Sequence, residues 1–407
     1  MILQMKTGEA NLTIDDGCQI LLDGEGRITG YYEEALRIRR AYDDRWLRLP
    51  RPERGGRSGN QPEVVRELPE GEITGVLARI RGRLEAALAP GSALEIAASS
   101  LPNSSRSDDV PRDEQEEGIR LLRQSLSTTR EAYRTDGQRF RSLVGRIPVL
   151  PPDRYRSLYL VVAPGCRYNR CLFCELYRDR PFATFPPLEV QRRARELVSF
   201  FGRALPTRTS VFLGDASGLA VPQEDLESIL RSLHEVLPPR VLRDGIHTFV
   251  DVFVTRSRHE RELRRLSELG LRRLYIGLES ASPEVLSFYR KPHSLEILAA
   301  EVRKARAAGI ATALMILAGG APREMQESHL EETLRFLRSL DLEAEDRIFL
   351  SPLVIPEATG FREEVERRGL SLLDAEEIVD EVDRLTAGLA GITAKVSRYQ
   401  LKGFLYR

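Results

Sequence analysis

Hydrophobic and polar positions divide the chain into two halves with different patterns. From about residue 155 onward, short apolar runs alternate with longer segments in which apolar residues recur every three or four positions. A continuous apolar run is typical of a strand buried on both faces, whereas the longer spacing is typical of an amphipathic helix. The predicted strands are residues 157–163, 209–213, 248–255, 273–278, 312–317 and 347–353.

This alternation predicts the fold class of the second half. Strands that alternate with helices favour an α/β architecture with a parallel sheet and right-handed crossovers, either open or curled into a barrel. Two of the predicted helices end at Gly270 and Gly309, and glycine is the typical residue at a helix C-terminus. In both architectures we expect the functional site at the C-terminal ends of the strands.

The first half of the chain has weaker patterns. Short apolar runs in residues 8–32 surround the turn sequence DGEGR, which predicts a β-hairpin. Residues 51–62 and 99–117 are polar and rich in Pro, Gly or Ser, which predicts flexible segments. We therefore predict a small β-containing N-terminal module (1–50), a polar linker with helical segments (51–145), an α/β core (150–390) and a C-terminal tail (391–407).

Charge and composition limit the partners of the chain. Its 407 residues include 61 basic and 61 acidic ones, so net charge does not support nucleic acid as a partner. No apolar run approaches the ~20 residues that span a bilayer, and no secretory signal is visible, so we expect no membrane partner. Four cysteines are too few for a disulfide framework, and we expect a cytoplasmic protein with reduced thiols.

Three of the four cysteines, Cys166, Cys171 and Cys174, lie within nine positions after the first predicted strand of the second half. Ordinary core cysteines are disfavoured by the polar neighbours RYNR and ELYRDR. Structural zinc needs four ligands, and a distant histidine would have to supply the fourth. A [4Fe–4S] cluster takes one thiolate for each iron. Three cysteines would therefore hold three irons and leave the fourth iron open for a cofactor or substrate.

The segment GCRYNRCLFCELYRDRPF, placed after the first strand of an alternating domain, resembles the radical S-adenosylmethionine (radical SAM) superfamily. The usual family spacing is three residues and then two, whereas this chain has four and then two. The longer gap, with Phe173 before the third cysteine, resembles an Elp3-like or oxygen-independent coproporphyrinogen oxidase-like branch. The resemblance spans residues ~155–390 and implies a partial (β/α)6 TIM-type barrel, a [4Fe–4S] cluster and S-adenosylmethionine (SAM).

The same resemblance implies SAM contacts after the second and fourth strands. Gly214, Asp215 and Ser217 stand where the family has a turn whose backbone and acidic group receive the methionyl amino group. A plain Asx-type turn is the alternative. Glu279 and Ser280 stand where the family contacts the ribose or carboxylate of SAM, and a structural network is the alternative. A carboxylate at the end of an apolar strand is costly unless a partner satisfies it.

Further candidates follow along the chain. The resemblance implies that Arg290 or the adjacent Lys291 pairs with the SAM carboxylate, although both could equally be solvated. Gly319 and Gly320 resemble the turn beside the adenine, where they would leave room for a flat ring. For His329 we expect a solvated or helix-capping role, with a catalytic role as the alternative.

The resemblance implies an enzyme that cleaves SAM reductively to a 5′-deoxyadenosyl radical, which abstracts hydrogen from an unidentified substrate. It also implies a reductant of the flavodoxin or ferredoxin type as a partner. A tRNA-modifying Elp3-like protein is one alternative, against which stand the neutral charge and the absence of a basic stripe with interleaved aromatic residues. A non-catalytic scaffold held by zinc is the other.

Overall fold

A computed structural model describes residues 1–15, 17–34, 36–50, 65–98, 111–253, 257–399 and 405–406. The chain divides into two compact units, of which the second comprises residues 147–194 and 209–401. The first comprises residues 1–146, 195–208 and the described part of 402–407. The division predicted from the sequence into four segments stays a prediction. Its polar segment 51–62 and residues 99–110 lie outside the described residues.

The described part of the first unit contains an eight-stranded sheet, in the order β7-β6-β5-β4-β3-β2-β1-β8. Neighbouring strands are antiparallel except for the parallel pair β1–β8. The strands are β1 (Ile2–Lys6), β2 (Glu9–Asp15), β3 (Cys18–Asp23), β4 (Ile28–Glu33), β5 (Leu36–Arg40), β6 (Trp46–Arg48), β7 (Arg66–Glu67) and β8 (Glu95–Ala98).

The predicted hairpin is confirmed in β3 and β4, which pair on either side of the DGEGR turn. Cys18, Ile20 and Leu22 are buried in β3, as the two-residue period of a half-buried strand requires. The sheet is nevertheless larger than the sequence predicts. Strand β5 has the sequence LRIRR, with only two apolar residues, and β6 has only three residues, so each is too short an alternation to identify a strand.

Among the described residues, three helices lie entirely in the first unit: α1 (Glu70–Leu88), α2 (Arg112–Ser127) and α3 (Arg130–Val144). Ile80 and Leu84 of α1 share one core with Leu122 of α2 and with the buried strand residues. Residues 112–117, predicted to be flexible, are instead the first turns of α2. Acidic side chains there stabilise a helix N-terminus, so their polarity marks a helix start and not a loop.

The second unit contains seven parallel strands in sequential order, which confirms the predicted α/β fold with a partial TIM-type barrel. Every residue of β9 and β10 is buried, as the continuous apolar runs predict. The strands are β9 (Ser157–Val161), β10 (Ser210–Gly214), β11 (Ile246–Val250), β12 (Leu271–Glu279), β13 (Ala311–Ala318), β14 (Arg347–Pro352) and β15 (Lys395–Arg398).

The remaining helices connect these strands. They are α4 (Pro187–Phe201), α5 (Gln223–Val236), α6 (Glu260–Glu268), α7 (Pro283–Phe288), α8 (Leu295–Ala307), α9 (Gln326–Ser339), α10 (Phe361–Arg367) and α11 (Ala375–Gly388). Leu226, Leu230 and Leu233 are buried along α5, as its apolar stripe predicts. None of the described helices combines the length and the apolar character that crossing a membrane requires.

Two strands differ from the prediction. Strand β15 lies within the predicted C-terminal tail, and its sequence KVSR gave no signal because it is a short, half-exposed edge strand. Strand β11 ends at Val250, whereas the predicted strand runs to residue 255. Asp251 begins a turn there, because its Oδ1 accepts a hydrogen bond from the amide of Phe253 at 2.9 Å. Residues 254 and 255 lie outside the described residues.

Two helix glycines provide a matched test of packing in the first unit. A Cβ at Gly137 in α3 would lie 2.5 Å from the Cβ of Asp44, whereas a Cβ at Gly75 in α1 would meet nothing within 4 Å. We expect Gly137→Ala to lower the free energy of unfolding by about 1–3 kcal/mol through overpacking. We expect Gly75→Ala to raise it by about 0.5–1 kcal/mol. Urea unfolding followed by circular dichroism measures both, and effects of the same sign would contradict this packing.

Candidate functional site

The three clustered cysteines lie on the loop between β9 and α4, which we call the cysteine loop (residues 162–186). Cys166, Cys171 and Cys174 are free thiols and all are half-buried. The amide of Asn169 donates a hydrogen bond to the Sγ of Cys166 at 3.3 Å. Amide hydrogen bonds to sulfur stabilise thiolate ligands of iron–sulfur clusters. The loop therefore presents its thiols in a form suited to metal ligation.

The carboxylate of Asp215 fastens both ends of the cysteine loop. It is fully buried, and its Oδ1 accepts a hydrogen bond from the hydroxyl of Tyr159 at 2.5 Å. Its Oδ2 accepts hydrogen bonds from the amide of Gly165 at 3.0 Å and from Nη1 of Arg180 at 3.2 Å. Gly165 precedes the first cysteine and Arg180 follows the third. Asp215 is therefore a positioning residue for the loop.

The electrostatics of Asp215 agree with this role. Burial raises the pKa of Asp215, while the hydrogen bonds from Tyr159 and Gly165 and the charge of Arg180 oppose that rise. The contact between this carboxylate and the ammonium group of SAM stays a prediction, since Oδ2 already accepts two hydrogen bonds and Oδ1 accepts one from Tyr159. Gly214 serves the same arrangement, since a Cβ there would lie 2.2 Å from the Tyr159 hydroxyl.

Ser217, the last residue singled out in this turn, is buried and lies beside β11. Its Oγ accepts a hydrogen bond from the amide of Asp251 at 3.4 Å. Gly218, the next residue, donates its amide to Oγ1 of Thr248 at 3.0 Å. The turn after β10 is therefore tied to the end of the neighbouring strand by side-chain hydrogen bonds.

The middle of the cysteine loop is held by backbone contacts and one apolar anchor. The side chain of Leu172 is buried among apolar residues, and its amide donates to the carbonyl of Tyr289 at 2.8 Å. Gly165 has a φ of +77°, and a Cβ there would lie 2.6 Å from the carbonyl oxygen of Pro181. Only glycine allows this close approach in the left-handed region.

Glu279 and Lys291 form an ion pair beside the thiols. Nζ of Lys291 lies 3.7 Å from Oε1 of Glu279, and the two side chains are 13% and 14% exposed. The ammonium also lies 6.0 Å from the ring centre of Phe173 and 5.9 Å from that of Phe253. Glu279 folds back over Gly277, where a Cβ would lie 2.3 Å from its Oε1. The pair is thus enclosed by aromatic rings and backbone.

Electrostatic interactions connect this ion pair to the cysteines. Burial raises the pKa of Cys171 to about 12 and that of Cys174 to about 11, while the nearby Lys291 ammonium lowers both. The pKa of Lys291 is lowered by burial but raised more strongly by nearby negative charge, above all that of Glu279. Burial raises the pKa of Glu279, against the effect of Lys291. Cys171 and Cys174 are therefore protonated when no metal is bound, and metal binding would release their protons.

Arg290 does not join this group. Its side chain is 54% exposed, and its Nη2 lies 3.2 Å from Oε2 of Glu364 on α10. Arg290 has a φ of +53°, in the left-handed region, and the next residue, Lys291, interacts electrostatically with Cys171 and Cys174. The prediction that Arg290 faces a cofactor has no support in this arrangement. The sequence named the adjacent basic pair but could not distinguish its two members.

Ser280 belongs to a buried polar network. Its Oγ lies 2.9 Å from Nδ1 of His329 on α9, and Nε2 of His329 lies 3.6 Å from Oε1 of Glu381 on α11. The same Glu381 oxygen accepts a hydrogen bond from the amide of Gly319 at 2.6 Å. The expected solvated or capping role of His329 is wrong, because its side chain is fully buried. Burial lowers the pKa of His329 to about 4 and raises that of Glu381.

Gly319 and Gly320 are packed closely by neighbouring side chains on the side where a Cβ atom would lie. A Cβ at Gly319 would lie 2.6 Å from Cγ1 of Ile378, and one at Gly320 would lie 2.4 Å from the hydroxyl of Tyr289. The glycines are there because helix α11 and Tyr289 pack onto the end of β13. The contact between this glycine pair and the adenine stays a prediction.

The structure thus brings together the three cysteines, Phe173, Glu279 and Lys291. It gives Asp215, Ser217 and Ser280 positioning contacts instead. Among the parts of the chain that the structure describes, no three His, Cys, Asp or Glu side chains are arranged to hold a metal ion.

Comparison with known families agrees with this site. Residues 160–337 match the radical SAM superfamily, and the matched stretch contains all three cysteines, Glu279 and Lys291. The chain contains a radical SAM domain. Radical SAM proteins are enzymes that use a [4Fe–4S] cluster and SAM, so this domain is of an enzymatic class whose reaction the match leaves unspecified. The branch predicted from the cysteine spacing stays a prediction.

Solved structures similar to this chain are distant. Coproporphyrinogen III oxidase (HemN) from Escherichia coli is 19% identical with a TM-score of 0.45, and the match covers 64% of this chain and 56% of that one. The radical SAM methyltransferase TsrM from Kitasatospora setae is 20% identical with a TM-score of 0.40, covering 52% and 38%. This chain therefore spans about half the length of these proteins or less. No curated protein matches it.

Replacing His329 by Gln should reduce the acid sensitivity of the fold. Burial holds the pKa of His329 at about 4 in the folded protein, below its ordinary value of 6.5. The unfolded chain binds the extra proton between these values. Stability is thus fully present above pH 6.5 and falls by about 1.4 kcal/mol per unit as the pH drops toward 4. Thermal unfolding between pH 7.5 and 4.5 should show a smaller loss of Tm in H329Q than in wild type.

His293 supplies the control for this measurement, because its side chain is exposed. The H293Q variant should lose Tm with falling pH as steeply as wild type. Parallel pH profiles for wild type and H329Q would show that His329 is not held neutral by burial.

Proposed function

We propose that this protein is a radical SAM enzyme in which Cys166, Cys171 and Cys174 hold a [4Fe–4S] cluster. The observation that carries the proposal is a single loop with three half-buried thiols, braced at both ends, inside a radical SAM domain. Three thiolates suit a cluster with one iron left free of protein ligands. When bound, the cluster supplies the electron that cleaves SAM to a 5′-deoxyadenosyl radical, which takes hydrogen from the substrate.

The residues of the loop prepare the ligands. The raised pKa values of Cys171 and Cys174 mean that these thiols give up protons when iron binds. The amide of Asn169 stabilises the negative charge that develops on Cys166. Asp215 keeps the loop in place while this occurs, since its hydrogen bonds do not involve the thiols.

Glu279 and Lys291 suit the amino-acid end of SAM, which carries an ammonium and a carboxylate. A carboxylate binds an ammonium and an ammonium binds a carboxylate through charge-assisted hydrogen bonds. The 3.7 Å between Nζ and Oε1 is longer than a direct hydrogen bond, so each group keeps capacity for another partner. Phe173 and Phe253 lie beside the ammonium and limit the access of water. Ser280 acts indirectly, by fixing the backbone after Glu279.

The substrate, the reductant of the flavodoxin or ferredoxin type and a cytoplasmic location remain expectations from the sequence. A tRNA substrate and a zinc-held scaffold are not favoured by any observation on the site. The radical SAM proposal is therefore the one to test first.

The Cys171→Ala variant tests the cluster. After anaerobic reconstitution we expect about four irons per wild-type chain and visible charge-transfer absorbance, both largely lost in C171A. With dithionite and SAM, wild type should form 5′-deoxyadenosine, measured by liquid chromatography. Cys18→Ala is the matched control, because Cys18 is a buried cysteine on β3 of the first unit. Equal iron in C171A and wild type, or none in wild type, would refute the proposal.

The Glu279→Gln variant tests the SAM contact. Losing one charge-assisted hydrogen bond of about 1.5–3 kcal/mol should raise the Kd for SAM roughly 10- to 100-fold, with iron content unchanged. Anaerobic equilibrium dialysis of reconstituted protein measures this Kd. Arg290→Gln is the control, because Arg290 pairs with Glu364 and should leave the Kd unchanged. The reverse result, weak binding in R290Q and normal binding in E279Q, would refute the assignment to Glu279 and favour Arg290, which the sequence also predicted as a SAM contact.

A further inference from the structure

The cysteine loop carries more positive charge than the chain as a whole. The chain has equal numbers of basic and acidic residues, 61 of each. Residues 163–182 of the loop contain four arginines and only two acidic residues, Glu175 and Asp179. A local excess of arginine on a neutral protein indicates a surface that attracts an acidic partner.

Both acidic residues of the loop are already engaged. Oε2 of Glu175 accepts hydrogen bonds from the amides of Glu357 and Ala358, at 3.1 and 3.2 Å. Asp179 binds Arg180 through both of its oxygens, at 3.0 and 3.1 Å, and Arg180 also reaches the buried Asp215. One of the four arginines is thereby neutralised within the loop.

The other three arginines, Arg167, Arg170 and Arg178, are exposed. Among the described residues, none of the three forms an ion pair with a carboxylate. Arg167 lies over the ring of Phe182, with 4.9 Å from the guanidinium carbon to the ring centre. Arg178 donates to the backbone carbonyls of the second and third cysteines, at 3.2 and 3.3 Å. Their charges are therefore available to another molecule.

These charges lie next to the thiols. Arg167 and Arg170 lie in sequence between Cys166 and Cys171, and Arg178 is hydrogen-bonded to the two cysteine carbonyls. All three cysteines are half-buried and so keep part of their surface exposed, which leaves a cluster held by them within reach of a molecule on the protein surface. A molecule that binds the arginines is placed within a short distance of the cluster.

We propose that Arg167, Arg170 and Arg178 form the docking surface for an acidic electron-transfer protein with a flavin or iron–sulfur group. The inference rests on the proposed function, because that reaction needs one electron per SAM cleaved. The partner's reduced group loses one electron and the cluster gains it, with no bond made or broken. Redox partners meet through small, transient interfaces in which charge accelerates encounter, and three exposed arginines suit such an interface.

The same arginines could bind RNA phosphates, but the aromatic side chains of the loop argue against this. Single-stranded RNA is held by stacking on free aromatic faces. The ring of Phe182 lies under Arg167, and the hydroxyl of Tyr168 donates to the carbonyl of Arg290 at 2.5 Å. The ring of Phe173 packs against that of Tyr289, with 5.0 Å between centres. Electrostatic steering toward a protein therefore accounts better for this surface.

The test compares a protein electron donor with a chemical one. Reconstituted wild type and the R167E/R170E variant are mixed with reduced bacterial flavodoxin, and cluster reduction is followed by stopped-flow absorbance at 20 and 300 mM salt. We expect the second-order rate constant at low salt to fall at least tenfold in the variant, and its salt dependence to weaken. Iron content and 5′-deoxyadenosine formation driven by dithionite should stay at wild-type values. Arg178 is left intact because it supports the loop backbone.

The R303E/R335E variant is the matched control. It makes the same change in net charge at two exposed arginines, one on α8 and one on α9. An equal loss of rate in this control, or no loss in R167E/R170E, would overturn the docking surface. Salt-dependent binding of bulk tRNA lost only in R167E/R170E, with flavodoxin rates unchanged, would assign the surface to RNA instead. Absence of dithionite-driven 5′-deoxyadenosine in wild type would refute the proposed function itself.

Discussion

The buried carboxylate of Asp215 is the interaction on which the cysteine loop depends. A buried carboxylate is costly unless hydrogen bonds satisfy it, and here Tyr159, Gly165 and Arg180 do so together. Because these donors come from β9 and from both ends of the loop, the same bonds that satisfy the charge also set the path of the backbone between them. The loop can then present its thiols without relying on secondary structure of its own.

Other buried polar groups extend this principle to the ends of β12 and β13. Glu279, at a φ of +63°, is held by Lys291 and lies over the backbone of Gly277. Ser280 and Gly319 are joined through His329 and Glu381, which come from α9 and α11. Polar side chains near the C-terminal ends of these strands thus hold the backbone in place at the edge of the sheet, where parallel strands typically form a functional site. Burial of the apolar strand residues stabilises the fold, and these polar contacts fix the positions of the residues that follow each strand.

The fold of the second unit was predictable because its strands are buried on both faces. A nearly continuous apolar strand such as β9, with the sequence SLYLV, is typical of a parallel sheet that is covered on both faces. Its composition therefore indicates the architecture. Strands that border solvent leave no such mark. The sequence KVSR of β15 has a charged residue exposed at each end, and only pairing with β14 makes it a strand. The acidic first turn of α2 was predicted to be flexible, because its polar residues look the same in sequence whether they begin a helix or lie in a loop.

By itself the sequence determined the chemistry available at the site. Three cysteines at short spacing, a carboxylate after β10 and another at the end of β12 are visible without coordinates, because parallel strands gather such residues at one edge. Tertiary structure alone decided what each group contacts. In the structure Lys291 is buried beside Glu279, whereas Arg290 is exposed. The Asp215 carboxylate accepts hydrogen bonds from the protein itself. Ile378 and Tyr289 pack closely against Gly319 and Gly320. Side-chain direction and close packing depend on neighbours that are distant in sequence, so local pattern cannot specify them.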